Sequence, residues 1–134
     1  MIAATQVRVI VVTPETTLLD ESARMLRFPL YDGQIGVLPG RAPMVGRLGV
    51  GELRIEGADG TQRLFLDGGF VQIKGGVVTL LTSRAMRADE IDVKAAEEEL
   101  DAAQKLAPTT DAGFAEKQQA IERARSLLAM RRRG

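Results

Sequence analysis

Gly51-Glu52-Leu53-Arg54-Ile55-Glu56-Gly57-Ala58-Asp59-Gly60-Thr61-Gln62-Arg63-Leu64-Phe65-Leu66 is the stretch that decides the fold. Two apolar runs, Leu53-Arg54-Ile55 and Leu64-Phe65-Leu66, flank Asp59-Gly60, a dipeptide that tolerates the positive φ angles of a tight primed turn. The segment therefore predicts a β-hairpin. Downstream, Gly75-Gly76 breaks the chain in the same way between Phe70-Val71-Gln72-Ile73 and Val77-Val78-Thr79-Leu80-Leu81, with Val71 and Ile73 facing oppositely to Gln72 and Lys74. Upstream, Val7, Val9 and Val11 alternate with Arg8, Ile10 and Val12, and Leu26, Phe28 and Leu30 with Met25, Arg27 and Pro29. Pro29 has no N–H to give a ladder, which predicts an edge strand there. Short strands at this spacing with no helix between them predict antiparallel sheets packed as a sandwich or closed barrel over residues 1–86.

After Met86 the pattern changes. Glycine nearly vanishes, alanine and charge dominate, and no β-branched run returns. Asp89 is positioned to cap a first helix, with Asp92 as the acidic member of a capping box, and that helix runs to about Leu106 with Val93, Ala96, Leu100 and Ala103 on one stripe. Glu90 with Lys94 and Asp101 with Lys105 form i,i+4 pairs on it. Pro108, Thr109, Thr110 and Asp111 stop it and cap a second helix, about Ala112 to Arg131, whose apolar side carries Phe114, Ile121, Ala124 and Leu128. Residues 87–134 are thus an antiparallel helical hairpin. Its narrow, alanine-rich stripes bury little, so a mobile appendage is expected.

Composition narrows the function. The 134 residues suit one medium domain or a small domain with an appendage, and 45% hydrophobic with 27% charged residues is ordinary for a folded soluble chain. The 18 basic and 18 acidic residues cancel, which disfavours nucleic-acid binding. No cysteine or histidine is present, excluding disulfides, thiolate and imidazole metal sites, and Ser-His or Cys-His nucleophile systems. No run approaches the roughly 18 apolar residues of a membrane span, and Met1 to Gln6 lack the features of a secretory signal, so a cytoplasmic protein is expected.

Little in the chain points to catalysis. Glu97, Glu98 and Glu99 are consecutive on a helix and fan around its axis, Asp67-Gly68-Gly69 has no companion ligands and reads as a turn, and the glycines at 46, 49 and 51 match no dinucleotide fingerprint. No catalytic residue, metal site or cofactor is assigned. The charges of the helical region are polarised: residues 89–101 hold seven carboxylates and one lysine, whereas Arg123, Arg125, Arg131, Arg132 and Arg133 share residues 122–133 with the single acid Glu122. Helix-dipole complementarity and a basic tip that docks on an acidic partner both account for this.

The most individual segment is Asp32-Gly33-Gln34-Ile35-Gly36-Val37-Leu38-Pro39-Gly40, followed by Arg41-Ala42-Pro43. It resembles the Gly-x-Ile/Leu-Gly-x-x-Pro-Gly signature of the epsilon-subunit family of F-type ATP synthases, called delta in mitochondria. Val11-Val12-Thr13-Pro14-Glu15 resembles that family's first strand and turn. Leu48-Gly49-Val50-Gly51-Glu52-Leu53-Arg54-Ile55 resembles its Pro-Gly-x-x-Arg-Ile strand, and Gly68-Gly69-Phe70-Val71-Gln72-Ile73 with Val77-Val78-Thr79-Leu80-Leu81 its Gly-Gly-Phe hairpin. Ile91-Asp92 and Arg125 fall in its two C-terminal helices, so the resemblance spans essentially the whole chain.

The resemblance implies a sandwich of about ten strands that binds the gamma subunit on one side and the ring of c subunits below. The chain would then be a non-catalytic rotor part on the cytoplasmic face of a bacterial inner membrane, reaching the membrane only through the complex. Asp32, Gln34, Arg41, Ala42 and Pro43 are the implied c-ring contacts, with Arg41 standing where the family usually has histidine. The two helices are implied to restrain ATP hydrolysis through contacts of Arg123, Arg125, Arg131, Arg132 and Arg133 with the alpha and beta subunits of the catalytic head. Some relatives bind ATP through Ile/Leu-Asp-x-x-Arg-Ala. In Ile91-Asp92-Val93-Lys94-Ala95-Ala96 an alanine replaces that arginine, leaving Ile91, Asp92 and Arg125 and implying weak or no ATP binding. The alternative from another class is a free-standing sandwich that binds a ligand while its helices dimerise.

Overall fold

The computed structural model describes residues 5–133; Met1–Ala4, part of the segment read for a secretory signal, lie outside them, as do Gly134 and the side chain of Arg133. The chain divides into two compact units, Met1–Met86 and Arg87–Gly134.

The first unit contains strands β1 (Val7–Val12), β2 (Thr17–Ala23), β3 (Met25–Leu30), β4 (Gly33–Val37), β5 (Met44–Gly57), β6 (Gly60–Lys74) and β7 (Val77–Leu81), and β8 (Ala85–Arg87) begins in it. Their order is β2-β1-β7-β6-β5-β3-β4, with β8 paired to β6. Every one of the seven strands on that path contributes to a single buried cluster, from Val9 and Val11 on β1 and Leu19 on β2 to Phe28 on β3 and Val37 on β4. A flat sheet could not bring its two ends into one cluster, so the sheet folds over and packs on itself as a sandwich.

The fold-over runs through β5 and β6, which are 14 and 15 residues long and remain paired from Met44↔Ile73 to Gly57↔Gly60. Their continuity is why eight strands stand among the described residues where about ten were expected: each crosses the bend as a single strand. Glycine permits the bend. Gly69 has φ +113°, and a Cβ there would lie 1.8 Å from the Leu81 carbonyl oxygen. On β5, a Cβ on Gly49 would lie 2.7 Å from the Leu30 carbonyl oxygen. Asp67-Gly68-Gly69 is therefore a bend inside a strand and not a turn. The Asp67 N–H donates to the Arg84 carbonyl at 3.0 Å and lies 3.2 Å from the Thr82 hydroxyl, and the Ser83 hydroxyl donates to the Asp67 carbonyl at 3.1 Å.

Three further expectations are corrected. The β5–β6 turn is not of the primed kind: among the described residues no non-glycine has positive φ, so Ala58 and Asp59 keep ordinary φ values and Gly60, at +124°, takes the unusual one. The Gly75-Gly76 turn does use positive φ at both positions, +59° and +77°. Pro29 is not on an edge, because β3 lies between β4 and β5. The β3–β5 register breaks between Arg27↔Arg54 and Leu30↔Leu48, so the missing N–H falls where that ladder is already interrupted, and Gly51 leaves room for the ring. The sheet is also not wholly antiparallel. Strands β1 and β7 pair in parallel, which is possible because no hairpin joins them.

The second unit opens with a 3₁₀ turn, Ala88–Glu90, ahead of α1 (Val93–Gln104) and α2 (Asp111–Arg133). Asp89 does not cap α1. Ile91 is extended and buried, breaking the helix after the 3₁₀ turn, and the cap is Asp92, whose Oδ1 accepts from the Ala95 N–H at 3.1 Å. Glu90, left outside α1, faces Arg87 instead of Lys94, and its Oε1 accepts from the Arg87 N–H at 3.3 Å. Asp101 and Lys105 pair as expected at 2.8 Å. The Thr110 hydroxyl caps α2 by accepting from the Gly113 N–H at 3.0 Å, and Lys117 Nζ donates to the Leu106 carbonyl at 2.9 Å. Buried residues are Ala96 and Ala103 on α1 and Ile121, Ala124, Leu127 and Met130 on α2. Phe114, assigned by periodicity to the apolar side, is exposed, as is Val93. The stripe begins only beyond the first turns of α2.

Four substitutions test these arguments. Gly69→Ala is expected to lower unfolding free energy by roughly 3 kcal/mol in urea titration, because both its φ and the Leu81 carbonyl oppose a side chain. Gly75→Ala, with open space around it, costs about 1 kcal/mol. Asp92→Ala is expected to destabilise α1 by about 1 kcal/mol in urea unfolding followed by far-UV circular dichroism, whereas Asp92→Asn, which preserves a cap oxygen, is nearly neutral.

Candidate functional site

Two surfaces of the first unit stand out, a polar loop at one edge of the sheet and an apolar face. Strand β4 is the terminal strand beyond β3. Ile35 and Val37 turn into the core, which leaves Gln34, Gly36 and Leu38 on the opposite side by alternation. Asp32 lies in the β3–β4 turn, and Arg41, Ala42 and Pro43 in the β4–β5 connection; all four are exposed, as is Gln34. Gly40 reverses the chain at φ +87°. Arg41 then reaches back: its guanidinium donates to the Gly36 carbonyl at 3.4 Å and lies 3.8 Å from the Met44 sulfur. The structure thus brings Arg41 within two residues of Gln34, and it pairs neither with Asp32. Arg41 is the side chain that ties the two ends of the loop together.

The apolar face was not anticipated. Strand pairing aligns Arg47, Phe70, Leu81 and Val12 in one row across β5, β6, β7 and β1, and Val45, Gln72, Thr79 and Ile10 in the next. These residues alternate with Gly46, Val71, Leu80 and Val11, three of which are core, so both rows point outward. Val45 is 76% exposed, Phe70 58% and Leu81 50%, and Tyr31, 65% exposed, lies beneath the Arg47 guanidinium, 4.2 Å from ring centroid to Cζ. A backbone bond from the Tyr31 N–H to the Arg47 carbonyl, 2.8 Å, holds the pair in register. One signal in the sequence could have revealed this face. Once Val71 and Ile73 are assigned to the core, Phe70 must occupy the same outward side as Gln72, a large apolar residue at a polar position.

In the second unit Asp92 is committed to capping, Ile91 is buried, and Arg125 is exposed on α2; no hydrogen bond or ion pair joins Asp92 to Arg125 among the described residues. Ala95, at the place of the family's arginine, contributes only its N–H to the cap. Arg131 and Arg132 are exposed near the end of α2, and Arg123 is half-buried. The carboxylates Glu97 and Glu98 are exposed and Glu99 half-buried, and no cluster of metal-ligating side chains occurs among the described residues. No helix among them is long and apolar enough to cross a membrane.

Residues 6–88 match the family described as ATP synthase, Delta/Epsilon chain, beta-sandwich domain. The ATP synthase epsilon chain of Rhodopirellula baltica is 43% identical over 122 residues, covering 91% of this chain and 95% of the relative. That of Carboxydothermus hydrogenoformans is 35% identical over 128 residues, covering 96% and 80%. Among solved structures, a chain of the Euglena gracilis mitochondrial ATP synthase, in its OSCP/F1/c-ring assembly, superposes with a TM-score of 0.82 at 25% identity, covering 96% of this chain and 83% of that one. A chain of the Tetrahymena thermophila mitochondrial ATP synthase central stalk and c-ring shares the fold, with a TM-score of 0.75 at 13% identity, covering 98% and 99%. With the sandwich matched from β1 through β8 and a relative aligned along nine-tenths of its length, this chain belongs to the ATP synthase delta/epsilon chain family.

Proposed function

We propose that this chain is a non-catalytic rotor subunit of an F-type ATP synthase central stalk, carried on the cytoplasmic face of a bacterial inner membrane by its partners. The observation that carries the reading is the surface of the sandwich. A broad apolar face with Val45, Phe70 and Leu81 exposed is what a permanent partner covers, and a polar loop, Asp32 to Pro43, lies at a sheet edge and meets that face where Pro43 adjoins Val45 and Gln72. The apolar face docks the gamma subunit. The loop, braced by the Arg41 bond to Gly36, meets the polar loops of the c-subunit ring through Asp32, Gln34, Arg41, Ala42 and Pro43. Torque then passes through a rigid sandwich that makes no bond and breaks none.

The helical hairpin acts as the regulatory part. Arg125, Arg131 and Arg132 are exposed on α2 and, with Arg123, supply a basic surface for acidic segments of the catalytic head, restraining ATP hydrolysis by a salt-sensitive contact. ATP itself is not held well, since the phosphate-pairing arginine is replaced by Ala95 and Asp92 is already occupied by the helix cap.

The reading is tested in the intact complex. The chain has no cysteine, so Gln34→Cys provides a single thiol; it is expected to cross-link to a cysteine placed in the c-subunit loop, and failure to do so would remove the loop from the c-ring interface. Calorimetric titration of the isolated chain with ATP is expected to give a Kd above about 1 mM. A sub-millimolar value would show that another cation replaces the missing guanidinium.

A further inference from the structure

The outward face of β5, β6, β7 and β1 carries positive charge that no carboxylate among the described residues balances. Arg47 is exposed in the row Arg47, Phe70, Leu81, Val12, and it has no carboxylate partner among the described residues. The acid that strand pairing puts at the end of the neighbouring row, opposite Ile10, is Asp20. It is committed elsewhere: Arg8 donates to its two oxygens at 2.8 and 2.7 Å, and these bonds hold the Asp20 carboxyl below the usual carboxylate range. Lys74, which borders the face one row further along β6, is also positive. The face is therefore apolar with an uncompensated positive charge at its β5 end.

Arg47 is also held in place. Its guanidinium lies over the Tyr31 ring, and its carbonyl is bonded to the Tyr31 N–H. A stacked arginine loses little side-chain freedom on binding and presents its N–H fork in a set direction. Covering it with a purely apolar surface would strip its hydration with no replacement, a penalty that grows as water is excluded by the exposed Val45, Phe70 and Leu81 on the strands beside it.

We infer that Arg47 selects the partner of this face: the surface that docks there presents a carboxylate to the Arg47 guanidinium, within a ring of apolar side chains that fits against Val45, Phe70 and Leu81. This rests on the reading of the face as the gamma-subunit docking site, and it names the chemistry that the gamma surface must carry. The ion pair supplies orientation, since the fork accepts a carboxylate in one plane, and the apolar ring supplies the seal.

The test is titration calorimetry of the full chain with the gamma subunit of the same complex at low and high salt, using four variants whose altered side chains are all exposed. Phe70→Asp tests the docking reading and is expected to abolish binding; Val45→Asp replaces it should Phe70→Asp fail to fold. Arg47→Leu is expected to weaken binding roughly 30-fold at low salt and to flatten the salt dependence, because the unpaired carboxylate is then buried. Arg47→Lys is expected to retain most of the affinity and, treated with a zero-length carbodiimide, to form an amide with an aspartate or glutamate of gamma, identified by peptide mapping. Loss of binding in Phe70→Asp, with Arg47→Leu binding as tightly as the parent, the same salt dependence, and no cross-link from position 47, would overturn the inference and leave the docking reading intact. Unchanged binding by both Phe70→Asp and Val45→Asp would overturn the docking reading itself.

Discussion

Closure of the sandwich depends on two β-strands crossing from one layer to the other without losing their register. A strand of L-residues resists so sharp a bend, because its side chains would collide with the backbone of its neighbours. Gly49 and Gly69 remove those collisions against the Leu30 and Leu81 carbonyls, and Gly69 also supplies a φ that other residues rarely adopt. With the bend made, Val9, Phe28, Leu53, Leu64, Val71 and Leu80 enter one buried cluster, and β5 and β6 keep one register on both sides of it, Leu48↔Gly69 before and Val50↔Asp67 after. The layers are thus joined by two strands that pair on both sides of the bend, a stiff arrangement that fits the rotor role proposed.

The same closure creates the surfaces. Each strand has two sides, and committing Val71, Leu80 and Val11 to the core obliges Phe70, Leu81 and Val12 to the outside. The outer face is apolar because a partner, and not solvent, is its natural neighbour in the function proposed. The edge loop answers a different requirement. It must be polar and exposed yet hold its shape, and Arg41 meets that by bonding the Gly36 carbonyl across the turn.

The helical unit shows how local grammar and tertiary context divide the work. Thr110 and the Asp101–Lys105 pair behave as their sequence positions predict, since caps and i,i+4 pairs involve only neighbours. Asp89 and Asp92 are ambiguous by the same rules, each an acceptable cap. Burial of Ile91 in an extended conformation resolves the choice, and that burial is a tertiary event. Phe114 shows the limit of periodicity: it shares a helical side with Ile121, yet its turn of α2 leaves it in solvent.

Both hairpins, the alternation of core and surface on β1, β3 and β6, the change from strands to helices after Met86, and the family resemblance carried by Gly33 to Pro43 were legible in the amino-acid order alone, because turn chemistry, periodicity and motif spacing are properties of adjacent residues. The strand count, the interior position of Pro29, the parallel pairing of β1 with β7 and the exposed face around Arg47 were not. Each depends on which distant segments meet: Pro29 is tolerated inside the sheet only because the β3–β5 register breaks beside it, and Arg47 meets Tyr31 only because a loop and a strand remote in sequence share one hydrogen bond. Local chemistry set the elements; long-range pairing decided which of their side chains were left facing outward.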